Sequence, residues 1–236
     1  VLQEIKCVDE KFPAPDFEDR GYNVAVHGQK TYNGVALLSK FPFEEVQRNL
    51  PGFEEDEQSR YIEALVFPDE AAPIRVGGLY LPNGNPAPGP KYDYKLAWMD
   101  FLHARARDLL AAEEAFILAG DYNVIPQAED VHDPAAWAGD ALFLPDTRAA
   151  FRRLLNLGLT DAVRQFHPDD VLYSFWDYQA GAWPKDHGIR IDHLLCSPQA
   201  ADRLTGAGID RAVRDPGLGN QDAKPSDHVP AWVTLD

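Results

Sequence analysis

At 236 residues with 45% hydrophobic content, the chain can build one large globular domain with a substantial core. No run of about 18 apolar residues is present, so no membrane span is expected, and no signal peptide is read at its start. Thirty-eight acidic residues against 22 basic ones give a formal net charge of −16, which argues against a simple polyanion binder. Any nucleic-acid contact must then be local, and the basic residues within 20–40 or around Lys185 to Arg190 are candidates for such a face. Cys7 and Cys196 do not make a disulfide framework. A buried thiol in Leu194-Leu195-Cys196 and a reducing, cytoplasmic setting fit better.

Short Val/Ile/Leu/aromatic-rich runs bounded by Gly, Pro, Asn or Asp predict strands at 22–27, 34–39, 61–67 and 74–81. The Pro/Gly-rich stretch 82–90 reads as a surface loop. The clearest helix is predicted over 92–114, with Leu96, Met99, Phe101, Leu102, Leu109 and Leu110 roughly on one face. A strand at 115–120 precedes a stretch without periodicity, 126–145, which carries Asp130, His132, Asp133 and Asp140. Loops this long in a compact domain are often functional. A second helix is expected over 147–157, ended by Gly158, and a third over 198–204, with Pro198 in its first turn. Strands are expected at 173–176, 189–197 and 229–235. Many strands with few helices between them predict two packed sheets flanked by helices.

Five segments carry chemistry. In Gly120-Asp121-Tyr122-Asn123, Asp121 and Asn123 end an apolar strand on the same side, where they can bind a hard cation or orient water and a phosphate. An Asx turn is the plainer account. In Pro225-Ser226-Asp227-His228, a carboxylate that can ligate metal adjoins an imidazole that can move a proton. Asp192 interrupts the apolar run Ile189 to Leu195, and a buried carboxylate needs a partner; His228 and Arg190 are the alternatives. Glu4, after Leu2-Gln3, is a candidate cation ligand at a strand end. Tyr80 and Asn83, in Tyr80-Leu81-Pro82-Asn83-Gly84, can donate to phosphate oxygens or be a core Tyr before a turn.

These segments run collinearly with Gly-Val-Ala-Leu-Leu-Ser-Lys (34–40), Ser-Phe-Trp-Asp-Tyr (174–178) and Gly-Ile-Arg-Ile-Asp (188–192). In that order the chain resembles exonuclease III and the related abasic-site (AP) endonucleases of the endonuclease/exonuclease/phosphatase superfamily, over essentially its whole length. The resemblance implies a DNase I-like, four-layered α/β sandwich of two packed mixed sheets flanked by helices. It implies 3′→5′ exodeoxyribonuclease and abasic-site endonuclease activity with Mg²⁺ or Mn²⁺. It also implies a monomer acting on double-stranded DNA at abasic sites or 3′ ends. By the family pattern, Glu4 and Asp227 bind the metal, Tyr80 and Asn83 contact the scissile phosphate, and Asp121 activates water. Asn123 positions that water or the phosphate, and Asp192 pairs with His228. Phe175, with Ile189 and Ile191, lines the pocket for the base-less sugar. The family begins with a strand bearing an Asn and a helix, both before the Glu4 position. One domain over 1–236 lacking about thirty N-terminal residues is therefore expected, with ladder groups left unpaired beside the first strand. A phosphodiesterase for inositol phosphates or sphingomyelin would carry nearly the same catalytic residues but want more Arg and Lys in its pocket. A non-catalytic binding relative would have lost Asp121, Asp192 or His228.

Overall fold

The computed structural model describes residues 1–215, 217 and 224–236. Its centre is a six-stranded sheet of β4 (Phe43–Arg48), β5 (Tyr61–Val66), β6 (Ile74–Tyr80), β7 (Phe116–Asp121), β8 (Thr160–Asp161) and β9 (Asp192–Cys196), in the order β4-β5-β6-β7-β9-β8. β6 and β7 run parallel and the other neighbours antiparallel, so the sheet is mixed. The parallel pair requires a crossover, which the helix Pro90–Ala111 supplies.

The period-2 alternation of β7 sorts the core. Phe116 and Leu118 face Trp98, Met99 and Leu102 of that helix and Phe151 and Leu154 of the helix Pro145–Asn156. Ile117 and Ala119 join a second cluster with Leu194, Ala207 and Val233. On this side lie two antiparallel sheets. One is β1 (Leu2–Gln3), β2 (Asn23–His27) and β3 (Val35–Ser39), in the order β1-β3-β2; the other is β10 (Leu204–Ile209) with β11 (Ala231–Leu235). Ala25, Val35 and Leu37 of the first pack on Ile62 and Ala64 of the central sheet. Phe17, in the short helix Ala14–Glu18, covers its outer face with Phe12 against Val26 and Ala36. Helices, sheet, sheets and outer helix make the four layers expected.

Several expected elements differ. The stretch 173–176 is no strand; Phe175 meets Ile189 and His228 through isolated bridges, because Ser174 Oγ takes the N–H groups of Ile191 and Asp192 at 3.1 and 3.0 Å. The third helix ends at Ala201, and Leu204 opens β10, whose Gly206 and Gly208 disfavour helix. β4 has exposed charges and no apolar run, as an edge strand often does, and so was not expected. The stretch 126–145 is structured: it holds a 3₁₀ turn, Ala128–Asp130, and a short helix, Pro134–Trp137. The buried stripe of the long helix is Tyr92, Lys95, Trp98, Met99, Leu102, Ala106 and Leu109, which places a lysine where only apolar side chains were expected. No described helix is long and apolar enough to cross a membrane.

Candidate active site

Register assembles the site. Tyr80 at the end of β6 stands beside Asp121 at the end of β7, and Asp121 stands opposite Asp192, the first residue of β9. Three polar side chains from distant parts of the chain thus share one row at one end of the central sheet. Gly120 permits the close approach before Asp121: its φ is 147°, and a Cβ there would collide with the Leu79 carbonyl oxygen.

His228 closes the row. Its Nδ1 lies 2.9 Å from Asp192 Oδ2, and its Nε2 lies 3.9 Å from Asp121 Oδ2. Burial disfavours the charged ring, but Asp192, Asp121 and Asp227 outweigh it and raise the imidazole pKa to about 10. Burial likewise pushes the Asp121 carboxyl up to about 7, against the pull of His228. At neutral pH the ring is an imidazolium, fixed by Asp192, facing a carboxylate that can take up a proton. Asp192 therefore pairs with His228 and not with Arg190, which turns to Asp130 and Asp161. Arg190 is fully buried, so it belongs to no basic contact face.

Asn123 adopts the left-handed backbone at φ 48°, which Asn tolerates better than most residues. Its N–H donates to Asp121 Oδ1 at 2.8 Å and its Nδ2 to Leu81 O and Asp121 Oδ2 at 2.9 and 3.2 Å. The Asx turn and the site residue are thus one arrangement. Asn83, exposed on the 82–90 loop, donates to Asn123 Oδ1 at 3.3 Å.

Glu4 follows β1 with φ 52°, also left-handed. Tyr80 donates its hydroxyl to Glu4 Oε1 at 2.5 Å, and Lys6 Nζ approaches Glu4 Oε2 at 2.5 Å. Burial opposes the Glu4 charge, yet Lys6 and Tyr80 hold its carboxyl below the usual range. Burial and Glu4 raise the Tyr80 pKa, so the phenol stays a donor. Asp227 is half-buried and acts on Lys6 together with Glu4. Glu4 and Asp227 are hard oxygen donors, and the charges of both act on the Lys6 ammonium, which pairs with Glu4. Among the described residues no three His, Cys, Asp or Glu side chains are grouped to cage a metal. Magnesium is commonly held by one or two carboxylates plus waters and substrate phosphate, so two carboxylates fit it.

Phe175 stands edge-on to His228, ring centroids 5.0 Å apart, and packs against a cluster of Ile125, Val131, Leu142, Phe143, Ile189 and Ile191. Ile189 and Ile191 are 2% and 3% exposed, so they back this apolar wall while Phe175 presents its ring.

The sequence did not single out Lys95. Its Nζ, fully buried, donates to the carbonyls of Asn83 at 3.0 Å and Asn123 at 2.5 Å, tying both loops to the helix; burial lowers its pKa to about 7. A lysine at a core position of a helical stripe was the available signal.

A family model described as the Endonuclease/Exonuclease/phosphatase family matches residues 1–228. Exodeoxyribonuclease III of Haemophilus influenzae is 33% identical over 98% of this chain and 87% of its own length. Among solved structures, the 3′ phosphatase NExo from Neisseria, bound to a product DNA hairpin, superposes with a TM-score of 0.91 at 35% identity, over 100% of this chain and 87% of the other. An AP endonuclease from Archaeoglobus fulgidus gives 0.89 at 34%, over 99% and 87%. The chain therefore belongs to the endonuclease/exonuclease/phosphatase family and, within it, to the exonuclease III and AP endonuclease branch of DNA-repair nucleases.

Proposed function

We propose that this protein hydrolyses DNA phosphodiester bonds with an activated water, as a 3′→5′ exodeoxyribonuclease and abasic-site endonuclease that depends on Mg²⁺ or Mn²⁺. Its substrate is double-stranded DNA with abasic sites or 3′ ends, and it acts as a cytoplasmic monomer. The observation that carries this reading is the row Tyr80–Asp121–Asp192 with His228 bridging the two carboxylates.

A phosphodiester anion repels hydroxide, so the site must supply a base on one side and positive charge around the phosphoryl group. Asp121, its pKa raised to about 7, takes the proton of the attacking water. The His228 imidazolium, oriented by Asp192, donates to a phosphoryl oxygen. Tyr80 and Asn83 supply neutral donors, and Asn123 holds Asp121 in place. One preorganised donor of this kind is worth about 3–4 kcal/mol in the transition state. Enzymes of this branch generally use a divalent cation; Glu4 and Asp227 would hold it, and it would neutralise charge developing on the phosphate. Phe175 packs on a sugar that lacks its base, and a pocket of this apolar kind suits a bare deoxyribose better than an inositol polyphosphate.

The test is cleavage of a duplex with a single abasic site and of a recessed 3′ end, by wild type and Asp121→Asn, with and without EDTA. Metal-dependent cleavage lost in Asp121→Asn is expected. Undiminished cleavage by the variant would overturn the assignment of the base.

A further inference from the structure

Asn83 meets the phosphate only if its amide points the right way, since its nitrogen attracts the anion and its oxygen repels it. The side chain is exposed and joined by flexible bonds, so something must choose. Asn85, two residues on, has the means. Its Oδ1 accepts the Ala141 N–H at 3.1 Å, which makes the other end of its amide the donor end. Its Nδ2 then serves two acceptors: the Asp140 carboxylate, at 3.1 and 3.2 Å, and Asn83 Oδ1, at 3.0 Å. The Asn85 backbone N–H adds a second donor to the same Asn83 oxygen at 3.2 Å. With its oxygen engaged twice, Asn83 turns its Nδ2 toward Asn123 Oδ1, and Asn123 in turn donates to Asp121 Oδ2. Each amide oxygen accepts from the previous residue and each amide nitrogen donates to the next. The direction follows from fixed groups at the two ends, the Ala141 N–H and the Asp121 carboxylate.

We propose that Asn85 and Asp140 are positioning residues for the hydrolysis, acting through a one-way chain of amides, Asn85 to Asn83 to Asn123, that ends on the general base Asp121. Asp140 anchors the chain. Its Oδ1 also accepts the Leu142 N–H at 2.8 Å, so it is held by its own loop and holds Asn85 from there. The 82–90 and 126–145 loops thereby meet at a junction that sets amide polarity and does more than tie the loops together. A reversed Asn83 would aim a carbonyl oxygen at the phosphate and at Asn123 Oδ1, and it would loosen the grip of Asn123 on Asp121. The inference rests on the phosphodiesterase reading above, in which Asn83 faces the scissile phosphate.

Removal of the donor and repair of the anchor test it separately. Asn85→Asp keeps an acceptor for Ala141 but loses the side-chain donor to Asn83 and sets two carboxylates face to face. It should lower kcat at least about tenfold with little change in KM, and lower the melting temperature. Adding Asp140→Asn exchanges the two groups: the amide now on the 126–145 loop donates to the carboxylate now on the 82–90 loop, and the loops are pinned again. The double variant should regain the melting temperature and not the kcat. Recovery of both would mean that the junction only anchors loops, and the proposal would fall. Asn83→Ala separates this failure from that of the underlying reading: wild-type kcat there removes Asn83 from the phosphate site. A large loss in Asn83→Ala beside wild-type kcat in Asn85→Asp overturns the chain alone. In the wild-type protein, NMR reads the same junction without any variant. Both Asn85 amide protons should exchange slowly with solvent, and rapid exchange of either one counts against it.

Discussion

Arg190 and Asp192 are two residues apart, yet they belong to buried charge clusters of opposite character. Arg190 lies between Asp130, at 2.7 Å, and Asp161, at 2.8 Å, and Arg164 makes a further bond to Asp130. Two guanidiniums meet two carboxylates, and Arg190 helps to hold both carboxyls below their ordinary range despite burial. Asp192 and Asp121 instead share one imidazole, with Glu4 and Asp227 adding negative charge around Lys6. The matched cluster is balanced in charge and holds the 126–145 stretch against the strand that carries Asp192. In the unmatched one, burial, aided by Asp192 and Glu4, raises the Asp121 pKa, and the excess carboxylates keep a proton on His228 and leave acceptors for a cation. Charge balance separates structural from chemical polar groups here more sharply than burial does.

Four outcomes would sharpen or break this contrast. The largest effect expected is from chelation: EDTA should abolish cleavage, with Mg²⁺ or Mn²⁺ restoring it. Either ion should also raise the melting temperature of wild type but not of a Glu4→Gln/Asp227→Asn variant. Cleavage that persists in EDTA would mean that the excess carboxylates serve no cation.

Next, the two clusters should respond oppositely to truncation. Arg190→Met leaves Asp130 and Asp161 without their main partner and should cost about 3–5 kcal/mol of stability, read by denaturant unfolding. Asp121→Asn or His228→Ala should lower kcat about a hundredfold or more, Asp121→Asn leaving stability nearly unchanged because it removes one carboxylate of the excess, and Asp192→Ala combined with His228→Ala should be far from additive. A stable Arg190→Met protein, or an unfolded Asp121→Asn protein, would collapse the distinction.

A third outcome concerns pH. His193 is fully buried beside Arg190, donates to Val124 O at 2.9 Å from Nε2, and accepts from Arg190 at 3.0 Å on Nδ1. Burial and then the guanidinium lower its pKa from 6.5 to about 4. Between those values the unfolded chain binds a proton that the folded chain refuses, so stability rises with pH across this window. This contribution, about 3 kcal/mol, is complete above the upper value and lost as pH falls toward the lower one. In His193→Gln the same stretch of the stability curve should be flatter; an unchanged slope would show that other groups set it.

The smallest effect is expected at the edge of the unmatched cluster. Phe175→Ala should erode the preference for abasic over intact duplex by about 1–3 kcal/mol in relative kcat/KM. An unchanged ratio would place the selection elsewhere.

The candidate catalytic residues were legible because their signal is local. Asp121, Asp192 and His228 are polar residues at or beside the ends of apolar runs, and that pattern marks strand ends whatever the fold around them. Tyr80 and Glu4 carried weaker signals of the same kind, and their order along the chain completed the resemblance. The central helices and most strands were legible for the same reason, since a 2- or 3.6-residue period needs only neighbouring residues. Partner choice was not. Sequence left Asp192 open to Arg190 or His228, and only the β7–β9 register and the path of residues 224–229 placed the imidazole against it while Arg190 turned to Asp130 and Asp161. Lys95 and Asn85 escaped notice because each works through groups distant in sequence: a buried ammonium on two loop carbonyls, and an amide whose direction is set by residues of another loop. Edge strand β4 was missed because it buries little and so needs no apolar period. The sequence by itself determined which residues can ionise, donate or pack, and where the chain must be extended or helical. Only the tertiary structure decided which charges would be balanced, because balance depends on the distances and burial that packing alone creates.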